Sequence, residues 1–376
     1  MPSSPTSGTD LRAGAQELAS LAVRYAERAD SERALSPVVS EGIIGAGFAR
    51  YFVPARWGGR DGPATGLLDA VAALAQGCTS AGWCASVLAG GSRMGAFLPE
   101  QGQAELWARG ADTAVVGALV PRGGATAVRG GWRVSGEWEC TSAVGFSDWA
   151  LVCALVPEDG RRVPWFFALP RTDYDIADTW TSVGMRGTGS HTLVAGNVFV
   201  PAHRGFPRRH LTEGRAVGSD ARCHTAPQPL LGGLLLGAPA LGAARAALRV
   251  WAEDSRTGAE PEDLGLRTAV ARGVIATDSA GLLLERAARA ADCPGSGPAE
   301  LVRSPAECAY AVERLVDVVE RLLRATGSSG QFAGHPLQRI WRDVHSLASH
   351  AGLRFEAAAG PYGARLLSPS AGLTAA

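Results

Sequence analysis

The chain contains no lysine: all 36 of its Lys/Arg positions are arginine. A Schiff-base catalyst, a covalently attached pyridoxal phosphate and a P-loop lysine are therefore excluded. A surplus of charge is also missing, because 36 acidic residues balance the 36 basic ones. Nucleic acid and anionic membrane surfaces both demand excess cationic side chains, so neither is expected as the main partner. The seven cysteines, Cys78, Cys84, Cys140, Cys153, Cys223, Cys293 and Cys308, form no Cys-x-x-Cys or Cys-x-x-His cluster. Their odd number and scatter argue against a zinc site or a disulfide framework, and no metal is expected. No Gly-x-Gly-x-x-Gly fingerprint follows a strand, which leaves no evident NAD(P)H site. The N-terminal MPSSPTSGTDLRAGAQ has neither the basic nor the apolar region of a signal peptide. Residues 227–248 come nearest to a membrane span, but their Gly, Pro and Arg245 favour a buried helix. The expectation is a soluble, cytoplasmic protein.

What the chain does have is apolar bulk. Of its 376 residues 46% are hydrophobic and 19% charged, enough for a sizeable core. Helical spacing marks residues 13–29, 36–47, 66–76 and 80–97, with Arg56-Trp57-Gly58-Gly59 among the turns. From about 112 to 201 short β-rich runs take over, at 113–120, 132–138, 149–156, 164–169 and 192–200. Turns such as Arg129-Gly130-Gly131 and Glu158-Asp159-Gly160 separate them. Helical periodicity then returns over 230–254, 263–291, 305–325 and 336–351. Strands and helices do not alternate, which disfavours a doubly wound sheet and favours segregated layers. The expected class is α+β, mainly α. It divides into an N-terminal helical domain (1–111), a central β-barrel or sandwich domain (112–212) and a C-terminal four-helix bundle (213–376).

Four local motifs occur in order along this layout. They are residues 45–59 (GAGFARYFVPARWGG) with 80–83 (SAGW), then 131–149 (GWRVSGEWECTSAVGFSDW), 179–204 (TWTSVGMRGTGSHTLVAGNVFVPAHR) and 335–350 (HPLQRIWRDVHSLASH). Together they resemble the acyl-CoA dehydrogenase superfamily over some 300 residues. Dehydrogenases of that superfamily commonly carry a Glu base about nine residues after the Arg of the last motif. Here Arg342-Asp343 is followed at that distance by His350 and Ala351, with no carboxylate until Glu356. A thioester dehydrogenase without that base loses its central group, although Glu253, Asp254 or Glu262 on an earlier helix could supply one. A His at this place resembles the two-component flavin-dependent monooxygenases (the group D hydroxylases).

The resemblance implies reduced flavin (FMNH2 or FADH2) from a separate NAD(P)H:flavin reductase, O2 as co-substrate, and a C4a-hydroperoxyflavin. The substrate would be an aromatic or polyketide-like small molecule, or an amine, in secondary-metabolite biosynthesis, and the protein a homotetramer or homodimer. His350 would lie over the flavin and help form or hold the adduct, since an imidazole pKa near ~6.5 allows it to donate or accept. Ser142, with Thr141, would run along the flavin edge near N5. Trp180 would stack near the isoalloxazine, and Thr188 and Ser190 belong to the second flavin-facing motif. Arg256 and Ser329 are the expected phosphate or ring contacts. Arg186 is open between flavin, substrate and a salt bridge. Arg342 and Asp343 are expected to pair with each other or with core polar groups, His345 to be structural and Cys140 to be a small core residue. The second His that some members of this group carry is lacking in 85–94, where Gly90, Gly91 and Ser92 are expected to leave room for substrate. Two rival readings remain at this level: an acyl-CoA dehydrogenase or oxidase, and a flavin-free relative acting as a non-redox catalyst or binding protein.

Overall fold

The computed structural model describes residues 11–256 and 264–368. Five helices come first: α1 (Leu11–Glu32), α2 (Pro37–Gly45), α3 (Ala64–Ala75), α4 (Thr79–Gly95) and α5 (Glu100–Leu106). Eight strands follow: β1 (Val115–Ala118), β2 (Gly124–Val128), β3 (Gly131–Trp138), β4 (Trp149–Glu158), β5 (Arg161–Pro170), β6 (Asp175–Ala177), β7 (Thr192–Pro201) and β8 (Gly205–Pro207). Two short helices, α6 (Arg208–Glu213) and α7 (Arg222–Thr225), lead into the long ones. These are α8 (Gln228–Arg256), α9 (Leu264–Asp292), α10 (Pro298–Thr326), α11 (Pro336–Ala348) and α12 (Phe355–Leu366). The segregated, mainly helical α+β order is the expected one. The elements that periodicity missed carry weak patterns. β2 exposes three of its five residues, β6 and β8 have three each, and α12 buries none of its own.

The sheet runs β6-β7-β3-β2-β4-β5-β8, with β1 pairing parallel to β4. Every residue from Ala150 to Ala154 in β4 is buried, because neighbours cover both faces of this inner strand. Its sequence is accordingly a continuous apolar run and not an alternating one. One apolar core joins the helices to the sheet, from Leu18 and Phe48 through Val134 and Trp138 to Leu284 and Val344. In α11, Leu337, Ile340, Val344 and Leu347 are buried at helical spacing, so that one face of the helix is fixed against the core.

Helix α8 is long and apolar enough by composition to cross a membrane, and most of that apolar stretch is buried inside the fold. Pro239 interrupts its hydrogen bonds. A proline has no N–H, so the Leu235 carbonyl four residues earlier loses its helical donor. Ser86 Oγ on α4 replaces it, donating to Leu235 O at 2.6 Å.

The room expected along Gly90, Gly91 and Ser92 is not there. A Cβ on Gly91 would lie 2.1 Å from the Val115 carbonyl oxygen of β1, and one on Gly90 would lie 3.2 Å from Leu235. Ser92 is wholly buried. These small residues let α4 approach β1 and α8 closely; they do not widen a cavity. The adjoining Arg93 is wholly buried as well. Its guanidinium donates to Cys223 O and Gln228 Oε1, each at 2.6 Å, and to Ala226 O.

Candidate active site

Three chain segments and one helix converge on a cavity of about 350 Å³. Cys140 and Ser142 come from the link between β3 and β4. Trp180, Met185, Thr188 and Ser190 come from the link between β6 and β7, and His350 follows α11. Trp83 of α4 closes one side. The volume lies within the ordinary range for small-molecule sites. A second cavity of about 270 Å³ between α8, α9 and α10, lined by Trp251, Leu283 and Tyr310, contains none of the motif residues.

The hydroxyls form a row. Trp83 Nε1–H donates to Ser142 Oγ at 2.9 Å, Ser142 meets Ser190 at 2.7 Å, and Ser190 meets Thr188 at 2.6 Å. Thr188 Oγ1–H then donates to the Met185 carbonyl at 2.8 Å. Trp180 lines the cavity with its indole N–H held by the same carbonyl at 3.1 Å. Thr141 does not join them: it is buried and donates to Trp138 O at 2.8 Å. Cys140 is corrected from core residue to exposed residue on the cavity wall. It stands just past the end of β3 in left-handed backbone, φ 57°, and this turns its side chain out of the core.

His350 is not helical, contrary to expectation, because α11 ends at Ala348. It opens the short 3-10 turn Ala351–Leu353, where the Gly352 N–H donates to His350 Nδ1 at 3.0 Å. Nδ1 is thus an acceptor, and the neutral ring carries its hydrogen on Nε2. His350 reaches solvent at the cavity mouth, while the protein around it strips water from the ring and lowers its pKa. Its ring centroid lies 5.9 Å from that of Trp83.

The turn bearing Met185 is held from α11. Met185 has φ 54°, and its N–H donates to the buried Asp343 Oδ1 at 2.6 Å. A Cβ on Gly184 would fall 2.1 Å from the Arg342 carbonyl, so only glycine permits this contact. Arg342 turns away to chelate Asp30 at 2.8 and 3.0 Å. Arg186 also belongs to structure, donating to Asp30 O at 2.7 Å. His345 lies against Trp341 and Glu320. Burial raises the Asp343 pKa to about 7, a shift supported by Asp30 and opposed by the Met185 N–H, Arg339 and Arg342. A carboxyl raised in the folded state contributes most below its unfolded pKa, and that contribution is lost as pH climbs to about 7. Asp343→Asn, which keeps an acceptor but carries no charge, is expected to be more stable than the parent at pH 8. The gain should be on the order of 1–3 kcal/mol and vanish at pH 4; urea midpoints at the two pH values measure it.

Ser329 stands apart from the cavity, exposed, with its hydroxyl donating to Thr326 O at 3.1 Å. Arg256 closes α8, and its side chain lies outside the described residues, as does Glu262. Asp254 pairs with His335 at 3.2 Å, and Glu253 and Glu356 are exposed. Among the described residues lining the cavity there is no carboxylate and no arginine. Elsewhere Asp61, Cys223 and His224 bring potential metal-ligand atoms within 4.8 Å of one another. Both His224 nitrogens already have partners, Ser219 Oγ at 2.7 Å and Phe52 O at 2.6 Å.

Residues 234–355 match the family model for the acyl-CoA dehydrogenase C-terminal domain. The chain is 31% identical over 343 residues to the oxygenase component of the FADH2-dependent resorcinol hydroxylase of Rhizobium sp. (strain MTP-10005), covering 84% of this chain and 83% of that one. It is 30% identical to the oxygenase subunit HsaA, a flavin-dependent monooxygenase of Rhodococcus jostii (strain RHA1), covering 81% and 84%. The crystal structure of 3-HSA hydroxylase from Rhodococcus sp. RHA1 superposes with a TM-score of 0.90 at 26% identity, over 94% of this chain and 96% of that one.

Proposed function

Since the chain belongs to the oxygenase components of two-component flavin-dependent monooxygenases, built on the acyl-CoA dehydrogenase fold, we propose that it hydroxylates a small aromatic molecule beside His350. Its cofactor is reduced flavin, which when bound activates O2 and supplies one oxygen atom to substrate. The observation carrying the reading is that His350 and the Ser142–Ser190–Thr188 row share one cavity whose described lining holds no carboxylate. Removing a thioester α-proton requires a base of that kind, so the dehydrogenase alternative finds no support here.

The donor set fits a flavin ring. Trp180 offers a flat apolar wall, the hydroxyl row offers hydrogen-bonding atoms along one edge, and Trp83, Met185 and Leu347 limit access of water. Ser142, Ser190 and Thr188 would hold the ring edge. His350, neutral because its pKa is lowered, would present Nε2–H to oxygen or to a substrate hydroxyl. Among the described residues the cavity walls supply no arginine for a flavin phosphate, a role for which Arg256 stays the proposed group.

An oxygenase component draws its reduced flavin from a separate reductase, and that partner is part of the proposal, as is a cytoplasmic setting where NAD(P)H is abundant. Self-association is favoured by Leu264, Ile275 and Leu282. All three are exposed on α9, and at spacings of eleven and seven they fall on one face of the helix.

Anaerobic titration with reduced FMN and reduced FAD, then mixing with labelled dioxygen and a phenol such as resorcinol, tests the reading. Tight binding of one reduced flavin and label in a hydroxylated product are expected. Reduced flavin that does not bind, or product oxygen drawn from water, would sink it.

A further inference from the structure

Two walls of the cavity are joined outside it, on α11. Residues 183–185 of the link between β6 and β7 dock on that helix over positions 342–346. Arg342 Nη1 donates to Val183 O at 2.6 Å. Gly184 sits so close that a Cβ would fall 2.1 Å from the Arg342 carbonyl oxygen and 2.7 Å from Ser346 Oγ. The Met185 N–H donates to Asp343 Oδ1 at 2.6 Å. The Met185 carbonyl accepts in turn from Trp180 Nε1–H at 3.1 Å and from Thr188 Oγ1–H at 2.8 Å. Met185 therefore carries the wall that Trp180 and Thr188 form, and a side chain of α11 holds its N–H.

The other wall is the end of the same helix. Ser346, Leu347, Ser349 and His350 line the cavity. The His350 N–H donates to Leu347 O at 3.1 Å, so the residue stays tied to α11 although the helix has ended. Asp343, 4% exposed, is the one buried carboxylate among the described residues. Burying a carboxylate costs more than burying an apolar side chain of its size, and what this one holds is the Met185 N–H. We propose that Asp343 is a positioning residue, whose hydrogen bond to Met185 sets the separation between the Trp180–Thr188 wall and His350 and so aligns substrate for oxygen transfer. This rests on the reading above that hydroxylation takes place beside His350. Asp343 does not itself line the cavity; it acts through Met185.

Positioning can be read apart from stability. Productive reaction turns reduced flavin, O2 and a phenol into oxidised flavin, hydroxylated product and water. When substrate is misaligned, reduced flavin and O2 give oxidised flavin and H2O2 instead. The test is the ratio of hydroxylated resorcinol to H2O2 in a single turnover, with protein in excess so that all reduced flavin starts bound. A misplacement near 1 Å can cost about 10²-fold in rate, so Asp343→Ala, which removes the acceptor, should lower the ratio at least about tenfold. Gly184→Ala pushes the turn off α11 from the other side and should lower it comparably. Asp343→Asn still accepts from Met185 N–H and should keep the ratio within about twofold. Arg93→Lys, destabilised but outside the cavity lining, should also keep it within about twofold.

A wild-type ratio in Asp343→Ala or in Gly184→Ala would overturn the proposal. So would a fall in Asp343→Asn as large as in Asp343→Ala, or an equal fall in Arg93→Lys, which would make the ratio a measure of stability. If Asp343→Ala does not fold, Gly184→Ala and Asp343→Asn decide between these outcomes. Each of them leaves the hydroxylation reading standing. A wild type that binds reduced flavin but yields only H2O2 would instead overturn that reading, and the positioning role with it.

Discussion

Alanine at position 350 is expected to lower product formation by about 10²- to 10⁴-fold, the usual scale for losing a positioned proton donor or acceptor. Reduced-flavin affinity should change only a few-fold, because the hydroxyl row and Trp180 stay in place. Asn offers a sharper comparison. Its side-chain oxygen can still accept from the Gly352 N–H, which His350 Nδ1 now does at 3.0 Å, but nothing reaches where Nε2–H stood. His350→Asn should therefore retain wild-type thermal stability and remain inactive. The pH profile carries the same signature. Loss of hydration lowers the His350 pKa, so the neutral ring persists below the ordinary imidazole value of ~6.5. Product formation should be flat through neutrality, with its acid limb below that value, and the limb should disappear in the alanine variant's residual activity. Single-turnover experiments with pre-reduced flavin measure all three. Wild-type yield from His350→Ala would remove His350 from the chemistry.

Replacing Arg93 by Ala is expected to cost about 3–5 kcal/mol of stability, read as a large drop in urea midpoint. The guanidinium is wholly buried and reaches the carbonyls of Cys223 and Ala226 and the Gln228 side chain, all in the approach to α8. Burial lowers its pKa to about 10, which still leaves it charged at neutral pH. Truncation would strand three acceptors at once, the Cys223 and Ala226 carbonyls among them buried. Arg93→Lys should recover less than half of the loss, since one ammonium cannot span the three directions that the planar fork serves. A midpoint shift in Arg93→Ala no larger than that of an exposed control such as Arg129→Ala would show that the junction is held by other contacts.

The contrast between these two residues explains how much of the site could be read in advance. His350 was visible because it stands at a fixed distance after Arg342-Asp343, and Ser142, Thr188 and Ser190 because they fall in ordered motifs. Arg93 gave no such signal. In the sequence it is one of 36 arginines, and only its distant partners, 130 to 135 positions later, show it to be a buried tie. The three glycine-rich positions of α4 were misread for a related reason. Small residues mark a close approach, but the sequence does not say whether a ligand or the Val115 carbonyl makes it. Thr141 and Ser142 are neighbours with similar side chains, yet one is tied to Trp138 and the other faces the cavity. Cys140 looked like core until its positive φ turned it outward.

Local sequence determined the order of helices, sheet and helices, since apolar periodicity is a property of each segment by itself. It also determined that lysine chemistry is unavailable and that His350, with no carboxylate before Glu356, follows Arg342-Asp343. Tertiary structure decided the rest. Whether Asp343 meets solvent or the Met185 N–H, and which way each hydroxyl hydrogen points, depends on atoms brought together from segments 48 to 158 residues apart. A hydroxyl has one hydrogen to give. Where it goes is settled by the Met185 carbonyl at the end of the row, and only folding places it there.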